Sequence, residues 1–366
     1  MAVPLLDIKR ETKPIRKEID EAVARVIDHG QYILGPEVKQ LEEKVSGFCG
    51  VKHAIGVASG TDALLLSLQA CGVGPGDEVI TSSFSFFASA GVISRLGAIP
   101  VFVDIDLDTY NIDPERIEKA ISPKTKAILP IHLFGQCARM DTIMDIAGRH
   151  NIKVVEDAAQ AIGSVYKERK AGNWGDAGCF SFFPTKNLGC AGDGGMVVTN
   201  DDDIADMVRL LRVHGGKFEY HHEIVGYNSR LDTLQAAILL VKLPHLTSWS
   251  EARRQNASVY DKSLKDIPIH IPKVEEGAGH IYNQYTIACD KRDDLAGWLK
   301  DKKIGCKIYY PVPFHLQKCF SNLNYKQGDI PNCEKAAQTV LSIPIFGEMT
   351  SHEQQEVVDS IKSFFN

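Results

Sequence analysis

Between about residues 50 and 215, short apolar runs rich in β-branched residues alternate with longer amphipathic stretches. The short runs are apolar almost throughout, as expected for strands that are buried on both faces of a parallel sheet. They are DEVITS, IPVFVDID, TKAILPIHLF, IKVVEDA, AGCFSFF and GGMVVTN. The stretches TDALLLSLQACG and RMDTIMDIAGRHN have helical spacing. This pattern predicts an α/β domain with a mostly parallel, doubly wound sheet.

The pattern changes near residue 230. LDTLQAAILL and, after Pro244, SWSEARRQNASVYDKSLKD predict a long helix, and Ser229 and Asp232 have the spacing of a capping box. Beyond residue 265, NQYTIACD, DDLAGWLKDKKIG and CKIYYPVP, followed by a closing helical stretch, predict a small α+β domain. We therefore expect a large domain over residues 1–250, which includes the N-terminal segment and the connecting helix, and a small domain over residues 251–366.

Composition limits which partners and which cellular compartment are expected. The 366 residues include 41 Lys and Arg against 47 Asp and Glu, a formal net charge of −6, with no basic block. Nucleic acid and anionic membranes are therefore not expected partners. No uninterrupted apolar run reaches the length of a membrane span, and the N-terminus lacks an apolar signal core. Nine scattered cysteines without a CxxC pair favour free thiols and a cytoplasmic location, and no metal is expected.

Polar residues follow the predicted strands, where ligands bind in open α/β sheets. Asp157 ends one strand run and Gln160 follows one helical turn later. The segment SGTDAL places Gly60 and Thr61 at the start of a helix, where free N–H groups and the helix dipole favour a phosphate. Each signal alone also fits ordinary helix capping.

A lysine and two aromatic residues complete this set. Lys186 lies in the glycine-rich loop SFFPTKNLGCAGDGG, directly after an apolar run, and Phe84 and Phe86 end another strand. Pyridoxal phosphate (PLP) requires a lysine for its aldehyde, a carboxylate for its pyridine nitrogen, an apolar surface for its ring and a helix N-terminus for its phosphate. The combination predicts a PLP site with Lys186 as the attachment point.

The chain resembles the sugar aminotransferases of the DegT/DnrJ/EryC1/StrS family, which have the aspartate aminotransferase fold, type I of the PLP-dependent transferases. The combination of EDAAQ, SFFPTK and GDGG is specific, and the resemblance covers almost the whole chain. The matching segments, in order, are GQYILGPEV, SGTDAL, GVGPGDEVIT, VFVDIDLDTYNIDP, HLFGQ, EDAAQAIGS, SFFPTKNLGCAGDGG, NSRLDTLQAAIL and YYPVPFHLQ.

The resemblance implies a role for each matched residue. Lys186 forms the Schiff base with the cofactor, Asp157 pairs with the pyridine nitrogen, and Gln160 bonds the phenolic oxygen. The phosphate is assigned to Gly60, Thr61 and Ser181, the ring to Phe86 rather than Phe84, and the sugar to Arg230, Tyr309 and Tyr310. Asn228 matches a residue that completes the phosphate site of the partner subunit, so a homodimer with shared active sites is implied.

The implied activity is transfer of an amino group, with glutamate as donor, to a keto nucleotide sugar. The nearest resemblance is to enzymes that aminate C3 of UDP-3-keto-N-acetylglucosamine or its uronate in lipopolysaccharide and O-antigen synthesis. The uronate enzymes have a histidine where this chain has Tyr309, and a phenol offers a carboxylate no positive charge. Arg230 is the one obvious cation left at this edge, so the neutral UDP sugar is favoured.

Several alternatives remain. A C4 ketone or a dTDP-linked 3-keto-6-deoxyhexose would use the same residues. A sugar 3-dehydratase of this fold has histidine in place of the lysine, and a non-catalytic regulator would not need the complete set around Lys186. A nicotinamide oxidoreductase is disfavoured because GVGPGDE lies between a predicted helix and a strand, the reverse of the dinucleotide-binding order.

Overall fold

The computed structural model describes residues 2–218 and 220–366. In this part of the chain the strands are β1 His53–Val57, β2 Glu78–Ser82, β3 Ile99–Val103, β4 Thr125–Leu129, β5 Lys153–Asp157, β6 Val165–Tyr166, β7 Arg169–Lys170, β8 Ala177–Ser181, β9 Gly195–Thr199, β10 Gly216–Phe218, β11 His221–His222, β12 Ala278–Gly279, β13 Tyr285–Ala288 and β14 Val340–Ile343.

The α-helices of the same part are α1 Ile8–Thr12, α2 Arg16–His29, α3 Pro36–Cys49, α4 Gly60–Ala70, α5 Ala88–Arg95, α6 Pro114–Ala120, α7 Met140–His150, α8 Asp202–Leu211, α9 Thr233–Lys242, α10 Leu246–Leu264, α11 Arg292–Asp301, α12 Pro331–Thr339 and α13 Ser351–Phe365. Short 3₁₀ helices cover Lys13–Ile15, Leu133–Gly135, Leu243–His245, Phe314–Leu316 and Lys318–Leu323.

The central sheet of the described chain has seven strands in the order β1-β9-β8-β5-β4-β2-β3. Neighbours pair in parallel from β8 to β3, whereas β9 is antiparallel to both β1 and β8. The prediction of a mostly parallel sheet is confirmed. Because β1 and β8 both oppose β9, every strand except β9 points the same way, and the carboxyl ends of these strands share one edge of the sheet.

Both faces of this sheet are covered, which explains the continuous apolar runs. Val154 packs into a core with α3, α7 and α9, whereas the next residue, Val155, packs on the opposite face against α4 and α8. Two strand predictions were incomplete. The sequence pattern missed β1, and β4 ends at Leu129 because Pro130 has no N–H with which to continue the ladder.

The C-terminal part forms its own core around the antiparallel pair of β13 and β14. Val3 from the N-terminal segment joins this core and bridges to Ile304. The segment 306–313 was predicted as a strand but makes only an isolated bridge, from Lys307 to Ser342. Helix α10 runs through residue 250, so the predicted domain boundary falls inside a continuous helix and stays a prediction.

The capping box predicted from Ser229 and Asp232 is wrong. Asp232 is the N-cap of α9 but makes no side-chain capping bond. The Ser229 hydroxyl instead donates to Asp62 Oδ2 at 2.8 Å, which ties this loop to the start of α4. Among residues 2–218 and 220–366, no helix is both long enough and apolar enough to cross a bilayer.

Candidate active site

A cavity of about 430 Å³ opens at the edge where the parallel strands end. It is lined by most of the residues that the sequence singled out, namely Gly60, Thr61, Phe86, Asp157, Gln160, Ser181, Lys186, Tyr309 and Tyr310. Asn228 and Arg230 do not line it. The topology thus brings together side chains from five strand ends and from the C-terminal part of the chain.

Asp157 is the last residue of β5 and is buried at the floor of the cavity. Its Oδ2 accepts from Ser89 Oγ at 2.7 Å and its Oδ1 from the Ala159 N–H at 3.2 Å. Burial raises the pKa of this carboxyl, while the Ser89 and Ala159 bonds and the nearby Lys186 oppose that rise. A cation placed beside this buried, hydrogen-bonded carboxyl would stabilise its anionic form.

Gln160 is oriented by two hydrogen bonds. Its Oε1 accepts from the Phe134 N–H at 2.6 Å, and its Nε2 donates to the Tyr310 hydroxyl at 3.1 Å. Phe134 has a φ of 59°, in the left-handed region, which turns its N–H toward Gln160. The carbonyl oxygen is therefore occupied, and the amide nitrogen of Gln160 faces the cavity as a donor.

Lys186 lies in the loop between β8 and β9, where its backbone N–H donates to Phe183 O at 2.9 Å. Burial lowers the pKa of its amine to about 8, against a smaller opposing effect of Asp157. The loop is held from below by Lys242, which is 2% exposed, donates to Gly189 O at 2.7 Å and pairs with Glu11 at 2.9 Å.

The start of α4 forms a cradle of donors. Within the described residues, the Gly60 and Thr61 N–H groups have no acceptor, whereas the Asp62 N–H donates to Ser59 Oγ at 3.1 Å. A Cβ on Gly60 would lie 2.6 Å from Ser181 Cβ, so only glycine allows this close approach. Two free amides, the helix dipole and the Ser181 hydroxyl together suit a phosphate dianion.

The structure separates the two aromatic candidates. Phe84 is fully buried in an aromatic core beside Tyr110 and Tyr310. Phe86 is 59% exposed and lines the cavity, with its ring centroid 6.5 Å from that of Tyr310. Phe86 is thus the ring available to stack on a ligand.

Sequence analysis missed several cavity residues, including His132. This fully buried imidazole accepts the Ala138 N–H at Nδ1, so Nε2 carries the proton and donates to Glu156 Oε2 at 2.8 Å. Glu156 also accepts the N–H groups of Gly172, Trp174 and Gly175. Glu156 and Asp157 are adjacent on β5, and the predicted Asp157 is the one of the two that lines the cavity.

Lys307 was also missed, because nothing in the pattern around it is unusual. It lines the cavity with its ammonium 5.3 Å from the centroid of the Tyr309 ring. Arg230 was predicted to bind the sugar but does not line the cavity and is partly buried, and Asn228, which was predicted for the partner's phosphate site, has an exposed side chain outside the cavity of its own chain.

These side chains fit PLP. A primary amine, a buried carboxylate, an amide donor, an apolar ring and an anion cradle surround one cavity, and that donor set matches the aldehyde, pyridine nitrogen, phenolic oxygen, ring and phosphate of the cofactor. The tight contact between Gly60 and Ser181 leaves no room for a larger side chain in the cradle.

Comparisons with known proteins agree with this geometry. The model of the DegT/DnrJ/EryC1/StrS aminotransferase family matches residues 13–362. DesV from S. venezuelae, solved in complex with ketimine intermediate, superposes with a TM-score of 0.98 at 41% identity and covers 100% of this chain and 99% of its own.

Three curated relatives align with this chain over nearly their full lengths. The pleiotropic regulatory protein of Geobacillus stearothermophilus is 50% identical over 100% of this chain and 99% of its own. The UDP-2-acetamido-2-deoxy-3-oxo-D-glucuronate aminotransferase of Pseudomonas aeruginosa is 46% identical over 94% and 95%. The UDP-N-acetyl-3-dehydro-alpha-D-glucosamine 3-aminotransferase of Acidithiobacillus ferrooxidans is 44% identical over 99% and 97%.

The family match covers almost the whole chain, and the predicted fold type and cofactor are both confirmed. With PLP as its cofactor and sugar amination as its activity, the chain belongs to the DegT/DnrJ/EryC1/StrS aminotransferase family.

Proposed function

We propose that this protein moves an amino group from glutamate to C3 of UDP-3-keto-N-acetylglucosamine, in the cytoplasmic synthesis of lipopolysaccharide or O-antigen sugars. Two relatives above 40% identity are named for UDP-linked 3-keto sugars. The observation that favours the neutral sugar over its uronate is Tyr309, which lines the cavity where the uronate enzymes have histidine. Scattered cysteines without disulfides fit the reducing cytoplasm.

Each residue of the site has a defined task in this proposal. When bound, PLP supplies the electron sink for a carbanion at the donor's α-carbon. Lys186 Nζ would hold the cofactor between turnovers and, once displaced, would move the proton from that carbon to the cofactor's aldehyde carbon, C4′, for which a pKa of about 8 is suited. Asp157 holds the proton on the pyridine nitrogen, and Gln160 donates to the phenolic oxygen. Gly60, Thr61 and Ser181 anchor the phosphate, and Phe86 positions the ring.

Tyr309 supports the choice of sugar because it is neutral. Burial raises the pKa of its hydroxyl, so the phenol is uncharged at neutral pH and can only donate or accept a hydrogen bond. A protonated imidazole at the same place would attract a carboxylate. Its position on the cavity wall supports a contact between Tyr309 and the substrate.

Replacing Tyr309 tests the substrate. We expect the wild type to prefer UDP-3-keto-N-acetylglucosamine in kcat/KM, and Tyr309→His to shift the ratio toward the uronate by about tenfold, near 1.4 kcal/mol in the transition state. Tyr309→Phe, which stays neutral, is the matched control and should keep the ratio. A wild-type preference of tenfold or more for the uronate contradicts the proposed sugar, and an unchanged ratio in Tyr309→His assigns specificity to another residue, with Arg230 the next one to test.

We further propose a homodimer in which Asn228 completes the partner's phosphate site, as the family resemblance implies. Asn228 is exposed and does not line the cavity of its own chain. Its neighbour Ser229 is tied to Asp62 in α4, so the loop that presents Asn228 outward is fixed beside the phosphate cradle. A two-fold axis near this loop would pass Asn228 into the partner's cradle.

Mixing two inactive variants tests the shared site. Lys186→Ala and Asn228→Ala chains should each have low activity, but a heterodimer has one intact site, assembled from the unmutated residues of both chains. Random exchange makes half of the dimers mixed, so we expect about a quarter of wild-type activity to return. Activity is measured after exchange has been verified by mass spectrometry. If Asn228→Ala is impaired alone and the mixture stays inactive, the sites are not shared.

A further inference from the structure

Lys307 is a charged residue of the cavity to which the proposed chemistry assigns no task. The charged side chains that line the cavity are Asp157, Lys186, Asp193 and Lys307. Asp157 and Lys186 are committed to the cofactor, and both ring nitrogens of His132 are engaged within the chain, by the Ala138 N–H and by Glu156. Lys307 is therefore the cation of this cavity that remains for a substrate.

The backbone of Lys307 is fixed, whereas its ammonium is free. Its N–H donates to Ser342 O at 3.0 Å and its carbonyl accepts from the Ser342 N–H at 2.8 Å. Within residues 2–218 and 220–366, its Nζ has no ion pair or hydrogen bond and lies over the Tyr309 ring. An exposed lysine whose backbone is anchored in this way is available to an anion that is not part of the chain.

The position of Lys307 indicates which part of a substrate it meets. Gln160 donates to Tyr310, the Tyr310 and Tyr309 ring centroids are 5.7 Å apart, and Lys307 Nζ lies 5.3 Å from the Tyr309 ring. Successive neighbours thus lead from Gln160, which is buried at the cofactor end of the cavity, to Lys307, which is exposed.

A cavity of about 430 Å³ is at the small end of ligand pockets and must hold both cofactor and sugar. The nucleotide end of a substrate that reacts at Lys186 therefore extends to the mouth. We propose that the Lys307 ammonium binds the diphosphate of the nucleotide sugar there, through its charge. This inference rests on the proposed function only for the nucleotide-sugar class, not for the identity of the sugar.

The test compares Lys307→Met with Lys302→Met in the holoenzyme. Lys302 is also an exposed lysine with its ammonium over an aromatic ring, 4.6 Å from Trp298, but it does not line the cavity. UDP, dTDP, UDP-N-acetylglucosamine and its uronate are titrated calorimetrically, and the half-reaction with glutamate is followed by cofactor absorbance. Thermal unfolding confirms that both variants fold.

We expect Lys307→Met to weaken all nucleotides that the wild type binds by a similar factor, about five- to tenfold, and to reduce the salt dependence of binding. Lys302→Met and the glutamate half-reaction should not change. Unchanged affinity, a loss confined to the uronate, or an equal loss in the glutamate half-reaction overturns the assignment, as does a wild type that binds neither UDP nor dTDP. If the wild type binds dTDP but not UDP, and Lys307→Met weakens dTDP binding, the role of Lys307 is supported and the proposed UDP sugar is contradicted.

Discussion

Lys186→Ala should fold normally and lose transamination by about 10³-fold or more, because it removes both the attachment of the cofactor and the group that moves the proton. Among the described residues that line the cavity, the other primary amine belongs to Lys307, at the mouth. The measurements are turnover and the yellow, borohydride-reducible species of the purified protein. Lys262→Ala, an exposed lysine on α10, is the control and should keep both. Undiminished turnover in Lys186→Ala would contradict the assigned role.

The pKa of this amine adds a pH dependence. Burial lowers the pKa of Lys186 to about 8, so the apoprotein carries mostly ammonium below that pH and mostly free amine above it. Only the free amine attacks an aldehyde, so cofactor uptake by the apoprotein should accelerate as pH rises through about 8. Stopped-flow absorbance measures this rate. A rate that rises only near the ordinary lysine pKa would show that burial does not lower the pKa of Lys186.

Asp157→Asn should lower turnover by about 10² to 10³-fold, the usual loss when one preorganised electrostatic partner is removed. The neutral amide has a similar shape but no charge with which to keep the pyridine nitrogen protonated. Asp157→Ala should be at least as damaging, whereas Asp157→Glu keeps the charge and is expected to retain part of the activity. The rates are measured as single-turnover half-reactions with glutamate, which separate this step from sugar binding.

Stability of the apoprotein provides the control for Asp157→Asn. The pKa of Asp157 is raised in the folded state, so the unfolded chain ionises this group more readily. A carboxyl whose pKa is raised in the folded state favours folding at acidic pH. It lowers the free energy of unfolding once pH exceeds the pKa of the same carboxyl in the unfolded chain. At pH 7, Asp157→Asn should therefore leave the melting temperature of the apoprotein unchanged or higher. A lower melting temperature would mean that the lost activity reflects damage to the fold.

Local patterns were sufficient for the elements that carry the chemistry. The run VVED followed by Gln160 predicted a buried strand that ends in a carboxylate, and SGTDAL predicted a helix start, since both depend on burial and capping over a few residues. The pattern missed strand β1 because its few residues, HAIGV, contain glycine and histidine, and its pairing with β9 joins residues 138 to 146 positions apart in the chain.

Other outcomes depended on contacts that no local pattern specifies. Residue spacing could not decide between Phe84 and Phe86, because both follow β2 and only the packing of distant segments buries Phe84. Tyr310 meets Gln160 across 150 residues of sequence.

The sequence by itself determined the fold class, the cofactor and the chemical set around Lys186, because hydrophobic period, helix starts and a specific motif are all local properties. The tertiary structure alone decided which side chains face one cavity. It brought His132 and Lys307 into the site and left Asn228 outside it, because side-chain direction depends on the packing of distant segments. No sequence pattern pointed to Lys307, because exposed lysines are common and only the surrounding structure shows that this one lines the cavity.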